Sequence, residues 1–222
     1  MNTTEIKIKG RIKSFDDLYK YAMKQFLEYE KIEGIDNWEE YDFSIDCSND
    51  QMKFKDMLQI RCIEELTEAT HALDNKEHFY EEITDATNFF LSAYCMLGVN
   101  FKDFENVEEI FEGFGIMNKV PPYNLCAEFF YYIVDAIGDL CNLLKNRPWA
   151  QSNYLVSMYD FNEKLKYLWT IYWSVIGWLG IKKEQLFEMF ERKYEVNKWR
   201  IKTHYKFGFV FAWDVSKFLP VE

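Results

Sequence analysis

Residues that end helices are scarce in this chain, whose 222 residues include only 9 glycines and 4 prolines. Between these residues lie segments in which apolar side chains recur with the period of an α-helix. The pattern predicts an all-α helical bundle, because a β fold of this length needs many more turns. About six helices are expected, over residues 15–31, 50–73, 77–97, 123–144, 160–179 and 183–205, with a weaker helix over residues 103–112.

Composition narrows the classes of function. Lys and Arg number 26 and Asp and Glu number 37, and a net charge of −11 argues against a nucleic-acid-binding surface. No segment has the roughly 18 uncharged apolar residues of a transmembrane helix, and the start lacks the apolar run of a signal peptide. The five cysteines form no C-x-x-C pair and are expected to be reduced, mostly buried thiols. We therefore expect one cytoplasmic domain spanning residues 1–222, with neither nucleic acid nor membrane as a partner.

The two ends of the chain have a different pattern. Residues 5–9 and 207–211 alternate polar and apolar side chains, which is the period of a β-strand. Two such strands are marginal unless they pack on something else. They can pair with each other or with a second subunit.

The most informative feature is a pair of acidic motifs on two neighbouring predicted helices. Glu65 and Glu68 are three residues apart on the first helix, and Glu82 and Asp85 are three residues apart on the second. Each pair therefore shares a helix face. Because the break at residues 74–76 is short, the two helices should run antiparallel. Residues 65 and 85, like residues 68 and 82, are equally far from Asn75, so the four carboxylates should converge.

Four carboxylates in one small volume repel one another unless a cation joins them. Neither motif contains a Lys or Arg, so the metal-free protein is expected to store repulsion that a metal would relieve. Mg²⁺ is a hard cation that binds carboxylates, waters and phosphates. The motifs thus predict an Mg²⁺ site. The alternative is an ordinary exposed acidic surface, which the matching register of the two pairs disfavours.

A second group of polar residues lies on the last predicted helix. Lys193, Asn197 and Arg200 follow the spacing i, i+4, i+7 and share one face. Lys and Arg offer positive charge to phosphate oxygens, and Arg can bind them bidentately. The alternative is a surface stripe that pairs with Glu191 or Glu195.

These two segments carry a resemblance to a known family. The motif E-E-x-x-E, followed by E-x-x-D on the next helix, resembles the all-α nucleoside triphosphate pyrophosphatases, which include MazG-like enzymes and dimeric dUTP diphosphatases. Four residues of the last helix are similar to a signature of the dimeric dUTPases and related phage dCTP/dUTP pyrophosphatases: Lys193, Asn197, Arg200 and Tyr205. Three neighbours depart from that signature, since Tyr194, Ile201 and His204 replace Asn, Gln and Gly.

Two further segments extend the resemblance. Residues 145–149 resemble a stretch that follows a central helix in several members of the family. Gln25 and Trp38 roughly follow a first-helix motif of the family, with Tyr29 where Asn is usual. Gln25 would pair with a base edge and Trp38 would stack on the ring, although for Trp38 packing at the edge of the core is an equal alternative.

The resemblance implies a cytoplasmic homodimer that hydrolyses a deoxynucleoside triphosphate with Mg²⁺. The expected substrate is dUTP, with dCTP next, and the products are the monophosphate and pyrophosphate. Two or more Mg²⁺ ions would bind Glu65, Glu68, Glu82 and Asp85, and Glu68, in preference to Glu65, would activate the attacking water. The triphosphate would be held by Lys193, Asn197, Arg200 and Tyr205. The alternative is a catalytically silent member of the fold that binds nucleotides or a protein partner.

Overall fold

The computed structural model describes residues 10–32, 44, 47–99, 104, 106–113, 122–144 and 157–202. Every regular element within these residues is helical, which confirms the all-α prediction, and no helix among them is long and apolar enough to cross a membrane. The predicted strands, Trp38, Tyr205 and residues 145–149 lie outside the described residues. In chain order the elements are α1 (Phe15–Ile32), α2 (Ser48–Lys55), a π-helical segment (Asp56–Cys62), α3 (Ile63–His71), α4 (Lys76–Met96), α5 (Val107–Gly113), α6 (Tyr123–Leu143), α7 (Met158–Trp178) and α8 (Lys183–Lys202).

Local chemistry sets several helix ends. The Ser14 hydroxyl accepts a hydrogen bond from the backbone N–H of Asp17 at 3.1 Å and caps α1. The Asn75 side chain caps α4 in the same way through the backbone N–H of His78. Gly98 and Gly180 follow α4 and α7 with φ of +61° and +75°, a conformation that glycine adopts without a steric penalty. Such local signals explain the agreement between the predicted and observed bounds.

The π-helical segment was not predicted, and the spacing of buried side chains gives a physical reason for it. Phe54, Leu58, Cys62 and Leu66 are buried and recur every four residues. An α-helix has about 3.6 residues per turn, so a four-residue stripe rotates by about 40° at each step. A π-helix bonds residue i to i+5 and has more residues per turn, which offsets this rotation. The segment therefore keeps α3 facing the core.

The core is built around α4, which packs against α1, α3, α8 and the π-helical segment. Phe90 of α4 stacks on Tyr172 of α7, with ring centroids 3.8 Å apart and planes 6° apart. The Tyr19 hydroxyl near the start of α1 donates to the carbonyl of Val99, just past the end of α4, at 2.8 Å. Near the other end of α1, Tyr29 is close enough to Asp85 in the first half of α4 for their charges to interact, so α1 and α4 run antiparallel.

Gly177 marks a close approach between α7 and α5. A Cβ atom at this position would lie 2.5 Å from the carbonyl oxygen of Phe111. We expect Gly177→Ala to destabilise the protein by about 1–3 kcal/mol through overpacking, although alanine favours helix by about 1 kcal/mol. Urea unfolding followed by circular dichroism measures this change. Gly138→Ala in α6 is the matched control, since its Cβ meets open space, and it should stabilise instead. Changes of the same sign in both variants would contradict the prediction.

Candidate metal and phosphate site

Three carboxylates meet at the side of α4. Ligand oxygens of Glu65 on α3 and of Glu82 and Asp85 on α4 all lie within 4.8 Å of one another. The Glu82 side chain is buried, and the other two are half-buried. Oxygen donors at this spacing suit a hard divalent cation such as Mg²⁺. The three residues are called the carboxylate cluster below.

Glu68 does not belong to the carboxylate cluster. Its side chain is exposed, although it is close enough for its charge to raise the pKa of Glu65. Glu68 is three residues after Glu65, so its side chain is rotated by about 60° around the axis of α3 relative to that of Glu65. On α4 this rotation keeps both carboxylates covered, because α1, α3 and α8 pack around that helix, whereas α3 packs mainly against α4, α6 and the π-helical segment. The structure thus brings together three of the four predicted carboxylates.

Burial and mutual repulsion raise the pKa values of two members of the carboxylate cluster, Glu65 and Asp85. The pKa of Glu65 is raised to about 8, chiefly by burial and then by the charges of Asp85 and Glu82 and a hydrogen bond with Glu82. The pKa of Asp85 is raised to about 6, because burial outweighs the opposing effect of Lys193. Without a metal, Glu65 therefore holds its proton near neutral pH, and a bound divalent cation would displace that proton.

Two basic side chains contact the carboxylate cluster. Lys193 on α8 forms an ion pair with Asp85, and its Nζ lies 3.7 Å from Oε1 of Glu81. His78, one turn before Glu82, has Nε2 at 2.6 Å from Oε1 of that residue. The sequence predicted that no cation of the protein itself would neutralise these carboxylates. For Asp85 that prediction is wrong, because Lys193 pairs with it. The acidic motifs could not reveal this partner, because it lies 108 residues away in the chain.

The polar face of α8 is turned towards the carboxylate cluster. Asn197 is buried, and its Oδ1 accepts a hydrogen bond from Nη1 of Arg200 at 3.3 Å. Tyr29 of α1 is close enough to Arg200, Lys193 and Asp85 for their charges to act on its phenol, whose pKa is raised chiefly by burial. The three predicted residues of α8 thus lie beside the predicted metal ligands.

The alternative reading of α8 as a surface stripe fails at its proposed partners. Glu191 accepts a hydrogen bond from the backbone N–H of Ile12. Glu195 forms an ion pair with Arg11 at 2.9 Å. Both glutamates therefore hold the segment before α1 against α8.

Two amide side chains lie close to the site with unpaired polar atoms. Nε2 of Gln25, a residue that is only 2% exposed, and Oδ1 of Asn88 are buried without a hydrogen-bond partner among the described residues. Gln25 lies one turn before Tyr29 on α1, and Asn88 lies one turn after Asp85 on α4. Because these helices are antiparallel, both amides extend the site in the same direction. Unpaired buried amides are unfavourable, so they point to a ligand that offers both an acceptor and a donor.

Of the residues at the site, Gln25 was predicted from the sequence, whereas Asn88, His78 and Tyr29 were not. A signal for Asn88 was present, since it is three residues after Asp85 and shares its helix face. His78 is similarly four residues before Glu82. Nothing local to Tyr29 indicated that α1 would bring it to α8.

Comparisons of the chain with family models, with curated proteins and with solved structures found no match. The resemblance to the pyrophosphatases therefore stays a prediction from motifs. Any function of the chain must therefore be inferred from the geometry of the carboxylate cluster and its neighbours.

Proposed function

We propose that this protein hydrolyses a deoxynucleoside triphosphate, dUTP first and dCTP next, to the monophosphate and pyrophosphate with Mg²⁺. The ion pair between Lys193 and Asp85 is the observation that carries the proposal. It joins the acidic motifs to the cationic face of α8. Neither feature indicates a triphosphate site by itself, because acidic pairs and basic stripes are common on helix surfaces. A triphosphate with its Mg²⁺ needs carboxylates for the metal and cations for the phosphate oxygens side by side.

Each side chain has a role that its position supports. Glu65, Glu82 and Asp85 would hold Mg²⁺, which as a Lewis acid stabilises the charge that develops on the phosphates. Lys193, Asn197 and Arg200 would bind phosphate oxygens, the Arg bidentately. These contacts hold the α-phosphorus in position for attack by water.

Glu68 suits the task of activating the attacking water. It lies next to the carboxylate cluster without belonging to it, so its carboxylate is not committed to the metal. A general base must reach the water and accept its proton, which an exposed carboxylate beside the site can do. This role agrees with the preference for Glu68 over Glu65 expected from the sequence.

The unpaired amides suit the edge of a pyrimidine base. Nε2 of Gln25 requires an acceptor and Oδ1 of Asn88 requires a donor. Uracil offers an N–H between two carbonyls, and cytosine offers an amino group beside a ring nitrogen, so both bases satisfy the pair. The rank of dUTP before dCTP comes from the family resemblance, which also implies a homodimer.

Pyrophosphate release from a panel of dNTPs, including dUTP, tests the proposal directly. With Mg²⁺, we expect equal amounts of pyrophosphate and nucleoside monophosphate from at least one pyrimidine nucleotide, and none with EDTA. Release of orthophosphate would contradict the proposed site of attack. Light scattering on the same preparation should give twice the monomer mass.

A second candidate is a protein that binds nucleotides without hydrolysing them. The observation that favours it is the same ion pair, because Lys193 already neutralises Asp85 without a metal. In that case a nucleotide should raise the melting temperature while the panel shows no pyrophosphate.

Arg200 provides a test of the phosphate-binding face. Arg200→Ala should raise KM by roughly 10–100-fold, since a hydrogen bond to a charged group contributes about 1.5–3 kcal/mol. Arg192→Ala is the matched control, because Arg192 is exposed on the same helix and pairs with Glu188. Its KM should stay at the wild-type value in initial-rate assays. Equal values of KM in the two variants would show that α8 does not bind the triphosphate.

A further inference from the structure

We infer that the Lys193 ammonium group neutralises Asp85 in the metal-free site and leaves Asp85 when a divalent metal binds. The ammonium group then moves to Glu81 and, when substrate is present, to the triphosphate. The inference rests on the proposed metal-dependent function. It assigns Lys193 a second task besides phosphate binding, which is to couple the binding of metal to the binding of substrate.

The contacts of Lys193 provide two positions for its ammonium group. Nζ bonds to Oδ2 of Asp85 within the carboxylate cluster and lies 3.7 Å from Oε1 of Glu81 outside it. Glu81 is about half exposed, whereas the Asp85 side chain is only 14% exposed. The lysine side chain has a flexible four-carbon stem, so a change of rotamer transfers the ammonium from the inner to the outer carboxylate.

Repulsion between like charges would drive this transfer. The oxygens of the carboxylate cluster lie within 4.8 Å of one another, so a divalent cation among them is a few ångströms from the lysine ammonium. In a half-buried site this repulsion is weakly screened. Asp85 has lone pairs enough for two partners, so the two cations compete through charge rather than through hydrogen-bonding capacity.

The transfer would turn Lys193 towards its neighbours on α8. Asn197 and Arg200 follow one and two turns later on the same face. Lys193 therefore joins Asn197 and Arg200 in binding phosphate only after the metal has released it from Asp85. The site would then bind metal first and triphosphate second.

Metal affinity without nucleotide tests the inference. Free Mn²⁺ is measured by electron paramagnetic resonance during titration of the wild type, Lys193→Met and Lys166→Met. Lys166 pairs only with the exposed Glu163 on α7 among the described contacts, so its replacement controls for the loss of one positive charge. We expect Lys193→Met to bind Mn²⁺ at least about tenfold more tightly than the other two proteins.

The outcomes separate the inference from the proposed function. Equal or weaker affinity of Lys193→Met, with one or more Mn²⁺ bound to the wild type, overturns the inference and leaves the metal site standing. No Mn²⁺ bound by any of the three proteins overturns both.

The position of the lysine has its own readout. The ¹⁵N signal of the Lys193 ammonium, assigned by its absence in Lys193→Met, should shift and exchange faster with solvent when Mg²⁺ is added without nucleotide. An unchanged signal in a protein that binds Mg²⁺ would show that Lys193 stays on Asp85, and the inference would fall.

Discussion

We expect Glu65→Gln to lower kcat by roughly a thousandfold or more, the loss that follows when a metal ligand that contributes several kcal/mol is removed. Glu65 is the only member of the carboxylate cluster on α3, so the amide removes the charge on one whole side of the site. The protein should remain folded, because the amide has the shape of the carboxylic acid that the raised pKa of Glu65 already favours. Steady-state kinetics and circular dichroism measure the two effects.

Glu64→Gln is the matched control for this prediction. Glu64 precedes Glu65 on α3, and its side chain is exposed. Surface substitutions of this kind change stability by less than about 0.5 kcal/mol, and we expect activity within about twofold of the wild type. Comparable activity in both variants would contradict the assignment of Glu65 to the metal.

We expect Mg²⁺ to raise the melting temperature strongly at pH 9 and hardly at pH 5. The metal binds deprotonated carboxylates, and the pKa values of Glu65 and Asp85 are raised to about 8 and about 6. A ligand at a hundredfold excess over its Kd stabilises the folded state by about 2.7 kcal/mol, which in a chain of this length raises Tm by about 5–10 °C. Scanning calorimetry at several pH values, with Mg²⁺ or EDTA, measures the difference. A rise of equal size at both pH values would contradict it.

The same pKa shifts predict that, in the metal-free protein, the contribution of Glu65 and Asp85 to the free energy of unfolding falls as pH rises. Both groups have pKa values above their ordinary values of 4.5 and 3.8, so the folded state binds their protons more tightly than the unfolded chain. Their contribution is complete below about pH 4 and is lost as pH rises through 6 and then 8. Urea unfolding in EDTA should therefore show a steeper loss between pH 5 and pH 9 in the wild type than in Glu65→Gln. Parallel curves would show that the Glu65 pKa is not raised.

The helices and the faces of their polar residues could be predicted from sequence. Within one helix the rotation and rise per residue are constant, so the spacing of Glu82 and Asp85, or of Lys193, Asn197 and Arg200, defines a shared face whatever surrounds it. Helix ends are equally local, since Ser14 caps α1 through its own hydroxyl. The all-α class and the location of both polar faces follow from these short-range rules.

Only the tertiary structure decided which faces meet. Packing such as that of Phe90 on Tyr172 sets the position of α4 in the core, and the positions of α1 and α8 against α4 bring Tyr29 and Lys193 to the carboxylate cluster. It also leaves Glu68 exposed although its spacing from Glu65 matches that of the α4 pair. These outcomes depend on contacts between residues far apart in the chain, and no periodicity within a helix records how that helix is rotated against its neighbours.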